Sequence, residues 1–553
     1  MEQWQALFYY KNGESQIKDE AFFLGQSQNI EEELAELRRA LGSQSPQSQE
    51  TDVRCRFPAR VAWLAGHLNQ NVEPVPSYCR DYWNFASKVK GDQLSIVFPA
   101  EFYGNPASMF GHTFLKLSEL GQPDLLSHGI SYGADISDPV GLKYAFKGIF
   151  GFYQGYFSVD SYYKSLNLYN DMEDRDIWEF KLNINQDKVE FLVKHLWELR
   201  EIAVDYYFFS TNCSSLLLDL LRVVEPQLDR NWGAGTFYFP LNLVYKLRDR
   251  GFISSVHYRP SMGQRLSYLS ETLTESTRES LDSLEGEFQK EGRLRGNLQD
   301  EAMLYSYWAE KANYEYYQGD LGQEEYSRRY FASIGALAKM KSHKEAVIEP
   351  KYRVIDGHYP KLLAVGMQDQ GGSALSLRIR PAMHGEGDHP GGFKLGSILS
   401  IMDGRLKLAS GESVKIDALK IIHLANWRNF DPILPKSSWE VKAGYESVLG
   451  AGYVHGLVGA AKSWRGELLS AILLGPRLDT DGVELSPSMM AIIRFRARFS
   501  QLFLNLSHGL VAKDTQSTAE AAWRVSHRNG IKLSWQRLER GPERVSLAYN
   551  YYL

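Results

Sequence analysis

Cysteine is scarce in this sequence, with three in 553 residues, too few for a scaffold built on disulfides. Long apolar runs are missing as well: no stretch of about 18 apolar residues occurs, which excludes a transmembrane helix. Basic residues are not in excess. A net charge of -5, without a zinc-finger, glycine-rich phosphate or helix-turn-helix pattern, argues against nucleic acid as a partner. No group of His, Cys, Asp and Glu has metal-ligand spacing, so neither a metal nor another cofactor is expected. The start, Met1-Glu2-Gln3-Trp4, has no basic segment followed by an apolar core; we read the chain as a mature form with an added Met, its signal peptide absent.

Aromatic residues, by contrast, are abundant. They make up 13% of the chain, with 32 Tyr and 12 Trp, a content that suits an interfacial or membrane β-protein. The length calls for two or three domains. Residues 1–80 read as a helical module: NIEEELAELRRAL has apolar positions at helical spacing, and RCRFPAR and EPVPSYCRDYW form a Pro-interrupted, Cys-containing loop. A Cys55–Cys79 disulfide there closes a loop of about 25 residues and is worth on the order of 3 kcal/mol. Cys213 is then the odd cysteine.

From 81 to 270, short apolar runs broken by Gly, Asn, Asp and Pro (LSIVFPA, HTFLKL, DLLSHGISYGA, DIWEFKL) predict strands of one sheet. Helical spacing returns in QDKVEFLVKHLWELREI and in CSSLLLDLLRVVEP, which Pro226 ends. Residues 271–349 are charged and almost free of Pro, and predict a helical connector. In 350–553 the period changes to two. Ile493, Phe495, Ala497 and Phe499 alternate with Arg494, Arg496 and Arg498, and Trp523, Val525 and His527 lead through an Asn529-Gly530 turn to Ile531, Leu533 and Trp535, a type I′ hairpin signal. With roughly ten to twelve such segments and a final VSLAYNYYL, we expect a closed antiparallel barrel with an apolar exterior, of the outer-membrane kind.

The chemistry points to two stretches. Cys213 stands where the extended YYFFSTN meets the apolar helix LLLDLL, with Ser210, Thr211 or Asn212 able to cap it. A thiol at a helix N-terminus feels the dipole and the free N–H groups, which predicts a lowered pKa and donors for an oxyanion. The base must come from elsewhere. His112, in the predicted strand MFGHTFLKL after Asn105-Pro106 and Ala107-Ser108, is the candidate. His128, in LLSHGISYGA, is the candidate to orient it across a hairpin. Asp174, Arg175 and Asp176 in MEDRDIW read as an ion-pair network that holds the sheet.

The stretches NPASMFGHTFLKL, IFGFYQGYFSVDSYY, YNDMEDRDIWEFKLN and YYFFSTNCSSLLLDLL resemble the periplasmic domain of Lnb-type lipoprotein N-acyltransferases, and RCRFPAR resembles the short module before it. The order His then Cys is similar to circularly permuted NlpC-type papain-like folds, including lecithin:retinol acyltransferase. The resemblance covers roughly residues 1–270, and the β-rich remainder fits the barrel of the same family. It implies an α+β chain: a permuted papain-like catalytic domain joined through helices to the barrel, facing the periplasm at the outer membrane. It also implies Cys213 as nucleophile and His112 as base, with less support for His128.

On that resemblance the expected activity moves a fatty acyl chain from a membrane phospholipid, through a Cys213 thioester, to the α-amine of a diacylglyceryl-cysteine lipoprotein. Phospholipid and lipoprotein are the expected partners. Asn105, Ser108, Tyr132, Phe152, Tyr153, Tyr156 and Asn212 are the candidates for contacting substrate, with GIFGFYQGYFSVDSYY as acyl groove or membrane-facing lip. Two other readings stay open: a peptidoglycan amidase or endopeptidase using the same Cys-His pair, and a non-enzymatic outer-membrane barrel protein in which Cys213 is structural.

Overall fold

A computed structural model of the chain describes every residue except 26–27, 43–47, 69–74, 105–107, 137, 140, 229–236, 292–293, 295–299, 341–346, 351, 386, 390, 394–395, 428–436, 448–450, 465–467, 480–483, 500–501, 512–513 and 539–542. Contacts divide it into two units, Met1–Pro350 and Lys351–Leu553.

The first unit is built on an antiparallel sheet that has seven strands among the described residues. Their order across the sheet is Val204–Tyr206, Tyr153–Ser161, His128–Ala134, Phe114–Ser118, Gln93–Pro99, Ile177–Leu182 and Ile253–Arg259. The strand Gln93–Pro99 is apolar on both faces, and Leu94, Ile96, Val97 and Phe98 are all buried, as a central strand covered on two sides requires. Val97, Phe114 and Ile177 pack against Tyr162 and Leu166. The helix Cys213–Arg222 lies against the strands Phe114–Ser118 and His128–Ala134. Its Leu216, Leu217, Leu220 and Leu221 are buried, and it stops before Pro226, whose ring has no N–H to extend it.

The N-terminal segment is less helical than its composition predicts. Helices Glu2–Leu7 and Ile30–Gly42 flank a small hairpin, Tyr10–Lys11 with Glu14–Ser15. Arg60 holds this module in place. Its guanidinium lies over the rings of Phe8, Phe22 and Phe57 at 4.4, 4.3 and 4.1 Å and is 3.6 Å from Glu33 and 3.5 Å from Glu198. Glu198 also accepts the Ala59 and Arg60 N–H groups, which ties the module to the helix Gln186–Glu198. Cys55 and Cys79 form a disulfide in the same region. Five helices between Met262 and Leu337 complete the described part of this unit.

In the second unit, twelve long strands between Leu362 and Tyr552 form a closed circuit among the described residues. Leu362–Asp369 pairs with both Ser373–Arg380 and the last strand, Arg544–Tyr552. Ser373–Arg380 in turn pairs with Ser397–Ala409, so no strand of the circuit is left with an open edge. The barrel is inside out relative to a soluble protein. Along Tyr453–Val458, the side chains of Tyr453, His455 and Leu457 are buried whereas Val454 and Val458 face out, Val458 with 58% of its surface exposed. Glu440, His423, Asp417, Arg544 and Asp403 are buried, whereas Val365, Met367, Ile472, Leu474, Leu533 and Leu547 are exposed. A closed ladder that buries charged groups beside an apolar cluster around Trp427, Leu469 and Leu473 and leaves aliphatic groups outside is matched to hydrocarbon as its solvent.

Candidate functional site

Cys213 is the first residue of its helix, and Asn212 caps it. The Asn212 side-chain oxygen accepts the Ser214 and Ser215 N–H groups at 3.1 and 3.2 Å and the Ser214 hydroxyl at 2.8 Å. Its Nδ2 donates to the carbonyls of Phe208 and Tyr238 at 3.0 and 2.7 Å, and the Ser215 Oγ accepts the Asn212 N–H in return. This capping box aims the first turn at the sheet. Every polar atom of the Asn212 amide is thereby occupied within the protein, so the side chain expected from the sequence to contact substrate serves here as the cap of the nucleophile helix.

The sulfur meets the residue next to His112. Thr113 Oγ1 donates to Cys213 Sγ at 3.8 Å, and the Thr113 and Ser214 backbone N–H groups also favour a negative charge on the sulfur. Thr113 was not among the candidates; its hydroxyl in a stretch of apolar residues was the available signal. His112 itself follows a turn in which Gly111 has a φ of +86° and donates to the Ser108 carbonyl. A Cβ at Gly111 would come within 2.5 Å of the Phe98 ring, so only glycine fits there. The His112 ring is 5.5 Å from the Tyr169 ring, and no hydrogen bond joins it to the sulfur. Tyr169 sits on a π-helical turn, Asn167–Met172, with the Arg175 guanidinium over it at 5.0 Å.

Burial dominates the electrostatics of both residues. It pushes the Cys213 thiol up, against the Thr113 and Ser214 hydrogen bonds and the positive charge of Arg175. This corrects the expectation of a lowered thiol pKa: desolvation of a thiolate in a closed pocket outweighs the helix terminus. His112 is pushed down to about 3, first by burial and then by Arg175. The resting pair is therefore a neutral thiol and a neutral imidazole. Tyr132, Tyr169 and Tyr206 surround the sulfur closely enough for a charge on it to raise their phenols.

His128 is not beside His112. The strands pair Leu117 with His128 and Leu115 with Ile130, so His128 lies opposite Leu117, whereas His112, expected within the strand, precedes its first residue, Phe114. An antiparallel register puts the two histidines at opposite ends of the hairpin. Among the substrate candidates, Asn105 lies outside the described residues. Ser108 offers its carbonyl to the Phe102 and Gly111 N–H groups. Tyr132 is fully buried, and its hydroxyl donates to the Val204 carbonyl at 2.9 Å, which makes it part of the core. Tyr153 also points inward and donates to Asp138 at 3.0 Å. Alternation along Tyr153–Ser161 leaves Tyr156 outside with Phe152.

The MEDRDIW segment fastens the sheet as expected, with different partners. Buried Arg175 donates to the Pro99 and Ala100 carbonyls and pairs with Glu173 at 2.7 Å. Asp174 accepts the Gly263 N–H and Asp176 the Ser261 N–H. In the second unit, His358, His384 and Asp388 bring three ligand atoms within 4.8 Å of one another, a cluster that their sequence spacing hides. His358 Nδ1 donates to the Tyr359 carbonyl, which leaves Nε2 to accept from His384 Nδ1 at 3.1 Å. Arg380 is 2.5 Å from Asp388. The carboxylate of this cluster is thus already paired with a guanidinium.

Three family models match the chain: the Lnb N-terminal periplasmic domain over residues 81–248, and two domains of unknown function over residues 1–67 and 355–552. No curated protein matches it. Among solved structures, a KdgM porin in complex with disordered oligogalacturonate is 12% identical over 35% of this chain and 99% of its own, with a TM-score of 0.23. An outer membrane channel from Pseudomonas putida F1 is 11% identical over 37% and 99%, with a TM-score of 0.21. The Acinetobacter baumannii outer membrane protein Omp33 is 10% identical over 36% and 100%, with a TM-score of 0.20. Scores this low carry no weight, and the barrel stands on its own strand pairings. Residues 81–248, which hold both Cys213 and His112, ally the chain with the Lnb type at the level of its periplasmic domain.

Proposed function

We propose that the chain is a lipoprotein N-acyltransferase that works at the periplasmic side of the outer membrane. The observation that carries this reading is Cys213 at the capped start of a helix, with Thr113 on its sulfur and His112 next in sequence, inside the segment similar to the Lnb periplasmic domain. A cysteine-bearing helix packed on an antiparallel sheet, with His112 just before the strand Phe114–Ser118, is similar to the arrangement of permuted papain-like folds. The barrel exterior supports residence in a membrane, where the acyl donor is at hand.

In this account the His112 ring turns from Tyr169 to the sulfur when donor lipid enters. Cys213 Sγ attacks the ester carbonyl carbon while His112 takes the thiol proton, and the N-terminus of the Cys213 helix faces the oxyanion that develops. The C–O bond breaks, His112 returns the proton to the lysophospholipid oxygen, and a thioester remains. The α-amine of the diacylglyceryl cysteine then attacks the thioester. His112 takes the amine proton and returns it to the departing sulfur, which leaves an amide and free enzyme. Both residues rest neutral, and the burial that keeps them so disfavours a standing thiolate–imidazolium pair, so in this reading the proton moves to His112 together with the attack of the sulfur on the carbonyl.

The test is incubation with phospholipid vesicles and a synthetic diacylglyceryl-cysteine peptide, with mass spectrometry of the peptide. A triacylated peptide is expected, and none with Cys213→Ala. One observation favours the non-enzymatic reading: Cys213 is 4% exposed and lacks a hydrogen bond from the base. That reading predicts that wild type and Cys213→Ala both leave the peptide unchanged.

A further inference from the structure

We propose that the exposed face of the helix Leu142–Phe150, made of Phe146, Ile149 and Phe150 with the adjoining Phe152, is a bilayer-docking surface that delivers lipid to Cys213. For its consequence at Cys213 this inference rests on the acyl-transfer reading; for the docking itself it does not. These four apolar side chains are 56%, 43%, 58% and 65% exposed, three of them on a helix of nine residues and the fourth two residues past its end. Phe146 packs on Phe150 at 4.6 Å and is stacked with Phe152 at 6.2 Å, so the rings form one patch.

The chemistry of the patch fits a lipid interface. Lys143 and Lys147 share a single carboxylate, Asp138, at 3.0 and 2.5 Å, which leaves one positive charge beside the aromatic face. Cations bordering an aromatic and aliphatic face match anionic phosphate above acyl chains. The rest of the chain narrows the choice of occupant, because the barrel with its aliphatic exterior keeps the protein at a membrane.

The helix is coupled to the nucleophile. The Gly148 carbonyl accepts the Phe208 N–H at 2.8 Å, and a Cβ at Gly148 would come within 2.2 Å of the Phe208 ring. The Phe208 carbonyl accepts from Asn212, and Asn212 caps the helix that Cys213 begins. Two hydrogen bonds thus connect the exposed face with the cap of the nucleophile helix.

The test uses the full chain, reconstituted in vesicles of phosphatidylethanolamine and phosphatidylglycerol. Nitroxide labels are placed at Phe146→Cys, Phe150→Cys or, as a control, the exposed Leu120→Cys, each in a Cys213→Ser background. Greater relaxation by oxygen than by a water-soluble nickel chelate at 146 and 150, with the reverse at 120, is expected. Nickel access at 150 equal to that at 120 overturns the proposal, and so does a label shielded from both relaxants, which marks a protein contact. A second readout keeps Cys213 and compares wild type with Phe146→Asp/Phe150→Asp. Acylation from vesicle lipid is expected to fall at least tenfold more than acylation from a monomeric short-chain phospholipid; equal losses overturn the delivery role. If wild type is acylated by neither lipid, the acyl-transfer reading fails while the spin-label result still decides docking.

Discussion

Thr113 and Cys213, a hundred residues apart in sequence, meet at 3.8 Å, hydroxyl to sulfur. The contact joins the histidine segment to the cysteine helix: the residue beside His112 holds the sulfur, while the His112 ring lies against Tyr169.

Thr113→Val removes the hydroxyl donor and keeps the shape. A hydrogen bond worth about 1 kcal/mol makes acyl-enzyme formation about fivefold slower, and Thr113→Ser restores most of it. The check is the single-turnover rate of acylation with lipid vesicles. An unchanged rate in Thr113→Val assigns the contact to packing.

The pH dependence follows from the two resting states. With the thiol raised by burial, iodoacetamide reacts slowly at pH 7, and its rate climbs about tenfold per pH unit until the thiol titrates. No step near pH 6.5 is expected from His112, whose folded value of about 3 lies below its unfolded one. A depressed histidine contributes stability that is present above the unfolded value of about 6.5. That stability is lost as pH falls, by up to about 1.4 kcal/mol per pH unit, because the unfolded state binds the proton first. His112→Gln flattens this acid dependence in chemical denaturation measured from pH 7 to 4.

Asn212→Ala removes the cap of the nucleophile helix and leaves two carbonyls without their donor. A loss of about 1–2 kcal/mol is expected from the cap alone, read as a lower thermal midpoint. Asn212→Asp retains the acceptor for Ser214 and Ser215 and recovers part of the stability. Its negative charge beside the thiol slows alkylation further.

Breaking the Cys55–Cys79 disulfide by Cys55→Ser/Cys79→Ser costs about 3 kcal/mol on loop-entropy grounds. The disulfide packs with Tyr82 and Trp197, in a cluster separate from Cys213. The variant is therefore expected to melt earlier and to acylate at the wild-type rate below its melting range.

Much of the site was legible because it depends on local chemistry. Asn212 before an apolar helix announces a cap, and a period of two after residue 350 announces strands. Pairing register was not legible. His128 and His112 share a hairpin, but only the offset that pairs Leu117 with His128 separates them. The inward turn of Tyr153 and the outward turn of Tyr156 likewise depend on which face the core takes. The thiol was misjudged because a helix terminus is visible in sequence, whereas the depth of burial that opposes it comes from tertiary packing. Phe146 was passed over because exposure is not a local property, whereas Phe150 fell within the stretch read as acyl groove or membrane-facing lip.

The most direct measurement is the intact mass of the protein after incubation with phospholipid vesicles and no acceptor. The account predicts one fatty-acyl increment on wild type, labile to hydroxylamine and absent from Cys213→Ala. An increment of the same size on Cys213→Ala, or no increment on wild type together with no acylated peptide when acceptor is supplied, contradicts it.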